Sequence, residues 1–86
     1  MNLALMVESG RELRSDVPRL NTQQIADDIA DRIRSGEYPA GSALPSYTEL
    51  ATLYSVHRST ITRVMLVLRA RGLVTGEQGR GVYVAD

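Results

Sequence analysis

Val56-His57-Arg58-Ser59-Thr60-Ile61-Thr62-Arg63-Val64-Met65-Leu66-Val67-Leu68-Arg69-Ala70-Arg71-Gly72 is the stretch on which the fold turns. With Ile61 at zero and about 100° per residue, Val64, Met65 and Leu68 fall within about 60° of it. Ser59, Thr62, Arg63 and Leu66 fall on the opposite side. The spacing therefore predicts a helix over about 58–71 that buries one stripe and holds arginines and hydroxyls away from it. No acidic residue occurs from Tyr54 through Gly76. Such a face is poor for burial and well suited to phosphates and base edges. Gly72 closes the helix, with Arg69 and Arg71 in its last turn, where the dipole favours cations.

Working back toward the N-terminus, Ser46 is a natural N-cap and Glu49 stands three residues on, the pattern of a capping box. Leu50, Leu53 and Tyr54 supply the expected buried face of that short helix, and Ser55-Val56-His57 turns the chain into the next. A second capping box, Asn21 with Gln24, opens an earlier helix whose core stripe is Ile25, Ala26, Ile29, Ala30 and Ile33. Asp27, Asp28 and Asp31 fall off that stripe and read as a solvated face near the helix start. Gly36 ends the helix, and Tyr38-Pro39-Ala40-Gly41 makes a turn. Working forward, Leu73-Val74-Thr75 and Val82-Tyr83-Val84 are strand-like runs joined by Gly76-Glu77-Gln78-Gly79-Arg80-Gly81. Residues 1–20 form a leader, and residues 21–84 form the domain.

An 86-residue chain supports one small domain and too little for two. It has no cysteine and a single histidine, His57, so neither disulfides nor a metal set are expected, and no cofactor. The apolar run Leu3-Ala4-Leu5-Met6-Val7 is too short to span a bilayer, lacks a charged segment before it and is stopped by Glu8, which points to a soluble cytosolic protein without membrane contact. Formal net charge is zero, but residues 1–49 carry five Arg and eight acids, whereas residues 50–86 carry five Arg and two acids. The positive half is where a nucleic-acid partner would sit. All ten cations are Arg, a choice suited to bidentate readout of guanine and phosphate and equally produced by a GC-rich genome.

Three helices followed by a β-hairpin make an α+β, mostly α, winged helix-turn-helix. The chain resembles the DNA-binding domain of the GntR family of bacterial regulators over roughly residues 19–84. The resemblance rests on Leu44-Pro45-Ser46, Glu49-Leu50-Ala51, Tyr54, Val56, Arg58-Ser59-Thr60-Ile61, Gly72-Leu73-Val74 and Gly79-Arg80-Gly81. Gln24-Ile25-Ala26-Asp27 and Gly36-Glu37-Tyr38-Pro39-Ala40-Gly41 extend it. It implies double-stranded DNA as partner, with a palindromic operator. The helix over about 58–71 would enter the major groove, and the wing over about 76–81 would reach the minor groove. Arg58 would read guanine or clamp phosphate, and Arg63 would grip phosphate one turn later. Ser59 and Thr60 would donate to phosphate or support the first turn. Ser46, with the backbone N–H groups behind it, would form an anion site. Gln78, Gly79, Arg80 and Gly81 belong to the wing, with Arg80 in the minor groove or on its phosphates.

The sequence also departs from the family pattern. Thr48 and Thr62 stand where the family usually has Arg, Tyr47 where it has Glu, and His57 where it has Ser or Thr. The glycine of the interhelix turn is Ser55. Thr48 and Thr62 remain on the expected DNA surface with fewer cations, which implies an altered operator. His57 is a weaker N-cap than Ser and is read as a phosphate or base contact.

Family members carry a larger effector-binding, dimer-forming domain after the wing, and this chain stops at Asp86. It is read as a minimal regulator, a repressor, with no small-molecule effector pocket and nucleoid-associated when bound; an isolated domain is the alternative. Homodimerisation would use Leu3, Leu5, Met6, Val7 and Leu13, or the apolar pair Leu66 and Val67. A winged-helix protein-interaction module that no longer binds DNA is the competing reading. An enzyme is not expected, because His57 and Ser59, two residues apart on one turn, do not face each other.

Overall fold

Asn21 accepts a hydrogen bond from the Gln24 N–H at 2.8 Å, and the Gln24 side chain accepts one from the Asn21 N–H at 2.9 Å. This reciprocal box opens helix α1, Thr22–Arg34. The same arrangement, Ser46 with Glu49, opens α2, Tyr47–Tyr54. Each box uses backbone donors that a helix start otherwise leaves to water. Helix α3, Arg58–Ala70, starts at His57 with no side-chain cap bond, consistent with the weak cap expected there. A hairpin follows, β1 Val74–Glu77 against β2 Gly81–Val84, antiparallel, with Val74 opposite Val84 and Glu77 opposite Gly81. The structure, a computed structural model, describes residues 20–77 and 81–86. The leader to residue 19 and the wing residues Gln78, Gly79 and Arg80 lie outside the described residues.

All three helices end in the same way. The 6→1 and 5→2 bonds of a Schellman motif run from Glu37 to Arg32 and Gly36 to Ile33, from Val56 to Ala51 and Ser55 to Thr52, and from Leu73 to Leu68 and Gly72 to Arg69. The motif requires a left-handed residue. Gly36 and Gly72 supply it at two ends, and Ser55, at φ 56°, supplies it at the third. That serine sits in the turn that aims α3.

The core gathers one stripe from each element. Ile25, Ala26, Ile29 and Ala30 come from α1; Tyr47, Leu50 and Ala51 from α2; Ile61, Val64, Met65 and Leu68 from α3. Val74, Val82 and Val84 of the hairpin and Leu44 complete it. Helix α3 packs against α1, α2 and β1, so it is the central element. Full burial of a Leu or Ile side chain contributes roughly 1.5–3 kcal/mol, which makes this one cluster the main source of stability in so small a domain.

Several expectations need correction. Leu53 was expected in the buried face of α2, but it is 53% exposed, and Tyr47 takes its place. Tyr47 lies one helical turn before Leu50 on the inner face, a position that an apolar ring fills better than a carboxylate. Ile33, Tyr54 and Val67 are half-buried against the core, so Val67 does not belong to an exposed pair with Leu66. The hairpin is longer than expected, since Gly76 and Glu77 pair with Val82 and Gly81 within the ladder. On its other side, β2 meets residues 42–44. Val84 donates to Ser42 O, and Leu44 donates to Val82 O, both at 2.9 Å, around a bridge between Ala43 and Tyr83.

Candidate nucleic-acid interface

Helix α3 presents its outward side as the sequence periodicity required. Arg58, Ser59, Arg63 and Leu66 are exposed, Thr60 and Thr62 are half-buried, and the four buried residues lie on the other side. Thr62 Oγ1 donates to the Arg58 carbonyl at 3.3 Å, one turn back. Arg63 reaches the Thr60 hydroxyl at 3.5 Å, a long contact that leaves its guanidinium largely available. Among the described residues, no carboxylate pairs with Arg58 or Arg63. The arginines elsewhere are differently engaged. Arg32 pairs with Asp28 at 3.0 Å and Glu37 at 2.8 Å, Arg34 with Asp31 at 2.9 Å, and Arg71 with Asp27 at 3.0 Å.

His57, Thr60 and Arg63 line one side of a cleft of about 320 Å³ whose other side is Leu20, Asn21 and Thr22 at the start of α1. Sequence reasoning set His57, Thr60 and Arg63 on the DNA surface but missed their neighbours on α1. Asn21 was visible only as a cap, and nothing in the local pattern says that two helix starts converge.

The first turn of α2 narrows the anion site expected at Ser46. Glu49 returns to the Ser46 N–H at 2.8 Å, and the Glu49 N–H donates to Ser46 Oγ at 3.0 Å. Two of the expected donors are thus engaged internally, which leaves those of Tyr47 and Thr48. The Glu49 carboxylate also brings negative charge to this end of the helix. Thr48 is exposed beside it. Gly81, at φ 102°, opens β2 opposite Glu77.

Behind this surface, a polar knot joins α1 to α2. The Tyr54 hydroxyl donates to Asp28 Oδ2 at 2.5 Å, and the Arg32 Nε donates to the same oxygen at 3.0 Å. The Arg32 guanidinium lies 6.0 Å from the Tyr54 ring centre. The Tyr54 hydrogen bond, helped by Arg32, holds the Asp28 carboxyl below the usual carboxylate range, against the partial burial that pushes it up. Burial first, then the Asp28 bond and charge, push the Tyr54 phenol up. Hydrogen bonds to Asp28 and then Glu37 push Arg32 up. The acids of α1, expected as a solvated face, are therefore engaged with arginines and Tyr54. Among the described residues there is no cluster of His, Asp or Glu that could hold a metal ion. No helix there is long and apolar enough to cross a membrane.

The model of the family described as "Bacterial regulatory proteins, gntR family" matches residues 21–84. The chain belongs to that family. The uncharacterized HTH-type transcriptional regulator YisV of Bacillus subtilis is 37% identical over 73 residues, covering 85% of this chain and 15% of YisV. An Escherichia coli relative named "Probable fructoselysine utilization operon transcriptional repressor" is 40% identical over 62 residues, covering 72% of this chain and 24% of the relative. This chain thus spans a quarter or less of the length of these two gntR relatives. Among solved structures, AraR(DBD) in complex with operator ORX1 superposes with a TM-score of 0.71 at 29% identity, covering 80% of this chain and 81% of that one. The winged helix-turn-helix architecture of the gntR family is therefore shown for residues 21–84 by both sequence and structure.

Proposed function

We propose that this gntR domain binds double-stranded DNA sequence-specifically and acts in the bacterial cytoplasm as a transcriptional regulator, a repressor. The observation that carries the reading is the outward side of α3. There Arg58 and Arg63 stand among hydroxyls with no carboxylate partner in the described residues, over a fully buried stripe. An arginine paired with a carboxylate is engaged by the fold; one held outward without such a partner keeps its guanidinium available to phosphate or a base edge. The AraR(DBD) complex with its operator and the repressor named among the relatives support the same reading.

In this reading α3 lies in the major groove. Arg58 at its start reads guanine or clamps phosphate, Ser59 and Thr62 face the base edges, and Arg63 with Thr60 and His57 holds a phosphate in the cleft beside α1. Thr48 and the remaining donors behind Ser46 approach the backbone from α2. The hairpin carries Gln78, Gly79, Arg80 and Gly81 toward the minor groove. Two copies bound to a palindromic operator would place their half-sites about 34–36 Å apart.

Selection of bound duplexes from a random pool, followed by mobility shift at two salt concentrations, tests this. An enriched, salt-sensitive motif with two-fold symmetry is expected. Absence of enrichment, with only weak binding of any duplex at low salt, would sink it. Leu66, 57% exposed in the middle of the proposed DNA face, favours the second reading, a protein-interaction module. That reading predicts no enriched duplex at all.

A further inference from the structure

We propose that Arg69, at the far end of α3, is a positioning residue that sets the angle at which the hairpin leaves the body of the domain. Its Nη2 donates to the Gly76 carbonyl at 2.8 Å, across seven residues of sequence. The ladder register explains why that carbonyl is available. In an antiparallel pair, successive residues alternate between bonding the partner strand and pointing away from it. Val82 and Val84 direct their backbone groups toward Leu44 and Ser42, so Gly81 and Tyr83 face β1 and bond Glu77 and Thr75. Gly76, opposite Val82, consequently turns its carbonyl outward from the free edge of β1.

At this one rung, then, both outward carbonyls are held by the body. Leu44 donates to Val82 on one side, and Arg69 donates to Gly76 on the other. Among the described residues, the Glu77–Gly81 rung alone lies beyond it. Nearer the body, the rung of Val74 with Val84 is buried on both sides. Gly76 is exposed, and its φ of 103° lies in the left-handed region that favours glycine. A Cβ at that position would strike the Gly81 carbonyl oxygen, so the position tolerates only glycine. Arg69 thus acts on the hairpin at this exposed glycine, from the same helix that carries Arg58 and Arg63. Two residues on, Arg71 ties the helix end to α1 through Asp27 at 3.0 Å and Gln23 at 2.9 Å. Helix α3 is anchored to α1 by one arginine and braces the hairpin by the other.

The consequence for affinity rests on the DNA-binding reading; the consequence for geometry does not. The test uses the whole chain with Arg69→Met, which keeps the length of the stem and removes the donors, and Arg69→Lys, which keeps a donor. Residual dipolar couplings of the free protein report the orientation of β1 and β2 relative to α3. In Arg69→Met the hairpin couplings should depart from the frame shared by the three helices, and in Arg69→Lys they should return toward it. On a duplex selected by the wild-type protein, Arg69→Met should weaken binding roughly three- to tenfold, the worth of one net hydrogen bond. Minor-groove protection from hydroxyl radicals should be lost while protection of guanine N7 in the major groove is kept. Unchanged couplings in Arg69→Met overturn the inference. So does a loss of order spread over all three helices, which would make Arg69 a staple of the fold. If the wild-type protein selects no duplex, the DNA reading fails and the couplings alone decide the role of Arg69.

Discussion

The charged flank of α1 and the outward side of α3 both carry arginines and differ in what stands beside them. Along α1, Arg32 and Arg34 pair with Asp28, Glu37 and Asp31, and Arg71 comes across from the end of α3 to meet Asp27. On the first two turns of α3, Arg58 and Arg63 have no such partner among the described residues, and Arg63 reaches the Thr60 hydroxyl instead. The contrast explains how a chain of zero formal charge can still present a cationic surface. Acids near α1 neutralise the arginines that hold the fold and leave those of the α3 start unopposed.

The largest expected effect separates the two regions directly. Arg58→Ala should reduce affinity for a selected duplex by about 1–3 kcal/mol, concentrated at one base position. The melting temperature should stay nearly constant, because among the described residues the Arg58 side chain makes no ion pair that holds the fold. Arg63→Ala should weaken all duplexes more evenly and lower the salt slope by about one. A melting temperature that falls as far as the affinity does would show that α3 arginines are structural after all, and the contrast would collapse.

On the α1 side the reverse pattern is expected. Tyr54→Phe removes the 2.5 Å bond to Asp28 while keeping the ring. It should cost about 1–2 kcal/mol of stability, the range for a hydrogen bond to a charged acceptor in a half-exposed setting. Duplex affinity, measured well below the melting temperature, should not change. The same knot predicts a pH dependence. Asp28 has a depressed pKa in the folded state, so its contribution is fully present above the unfolded carboxylate value, about 3.9, and is lost as pH falls through the folded value. The Tyr54 pKa is raised, so its contribution is present below about 10 and is lost as pH rises further. Denaturant melts of wild type and Asp28→Asn should therefore differ most between about pH 5 and 9 and converge in acid. A difference that persists undiminished at pH 2–3 would remove the assigned role of the ionised carboxylate.

Much of the fold is legible in the sequence, for identifiable reasons. Caps, helix stripes and the hairpin are local, and each announces itself within a few residues: Asn21 with Gln24, Ser46 with Glu49, Ile61 with Met65 and Leu68. What the residues hid is non-local. The meeting of Asp28 with Tyr54 spans 26 residues, and that of Arg71 with Gln23 spans 48. Only the packing of α1 against its neighbours brings them together. The burial of Tyr47 and exposure of Leu53 were misjudged because an eight-residue helix offers too few turns for its stripe to be read unambiguously. The site is legible in the same divided way. The arginines and hydroxyls of α3 follow from periodicity, but the cleft they share with Asn21 and Thr22 follows only from the tertiary structure.

The α2–α3 turn lies between the two regions and is the place to sharpen the comparison. Ser55 occupies a left-handed position that glycine fills at the other two helix ends, and His57 caps α3 without a bond. Ser55→Gly relieves a Cβ clash of roughly 1 kcal/mol, partly offset by the greater freedom of glycine in the unfolded chain. His57→Ser supplies the missing cap and should add about 1 kcal/mol. Both should raise the melting temperature. Only His57→Ser should also change duplex affinity or preference, because only His57 faces the cleft with Arg63. If His57→Ser raises stability and leaves binding untouched, His57 belongs with Ser55 as a poor local choice, and the cleft loses one of its proposed contacts.

The smallest effect bears on what pairing means. Arg34 and Asp31 pair at 2.9 Å, yet their side chains remain 63% and 74% exposed. Water screens such a pair, and ordering two long side chains offsets most of the attraction, so Arg34→Ala should change stability by less than about 0.5 kcal/mol. Arg71→Ala tests a better-placed pair. Its side chain is 33% exposed, its guanidinium bonds both Asp27 and Gln23, and it joins two helices distant in sequence. A larger loss for Arg71→Ala than for Arg34→Ala in the same denaturant series would show that arginines on this side act by linking elements. Equal, negligible losses would mean that the ion pairs only neutralise charge, and that the core stripes alone hold α1 against α3.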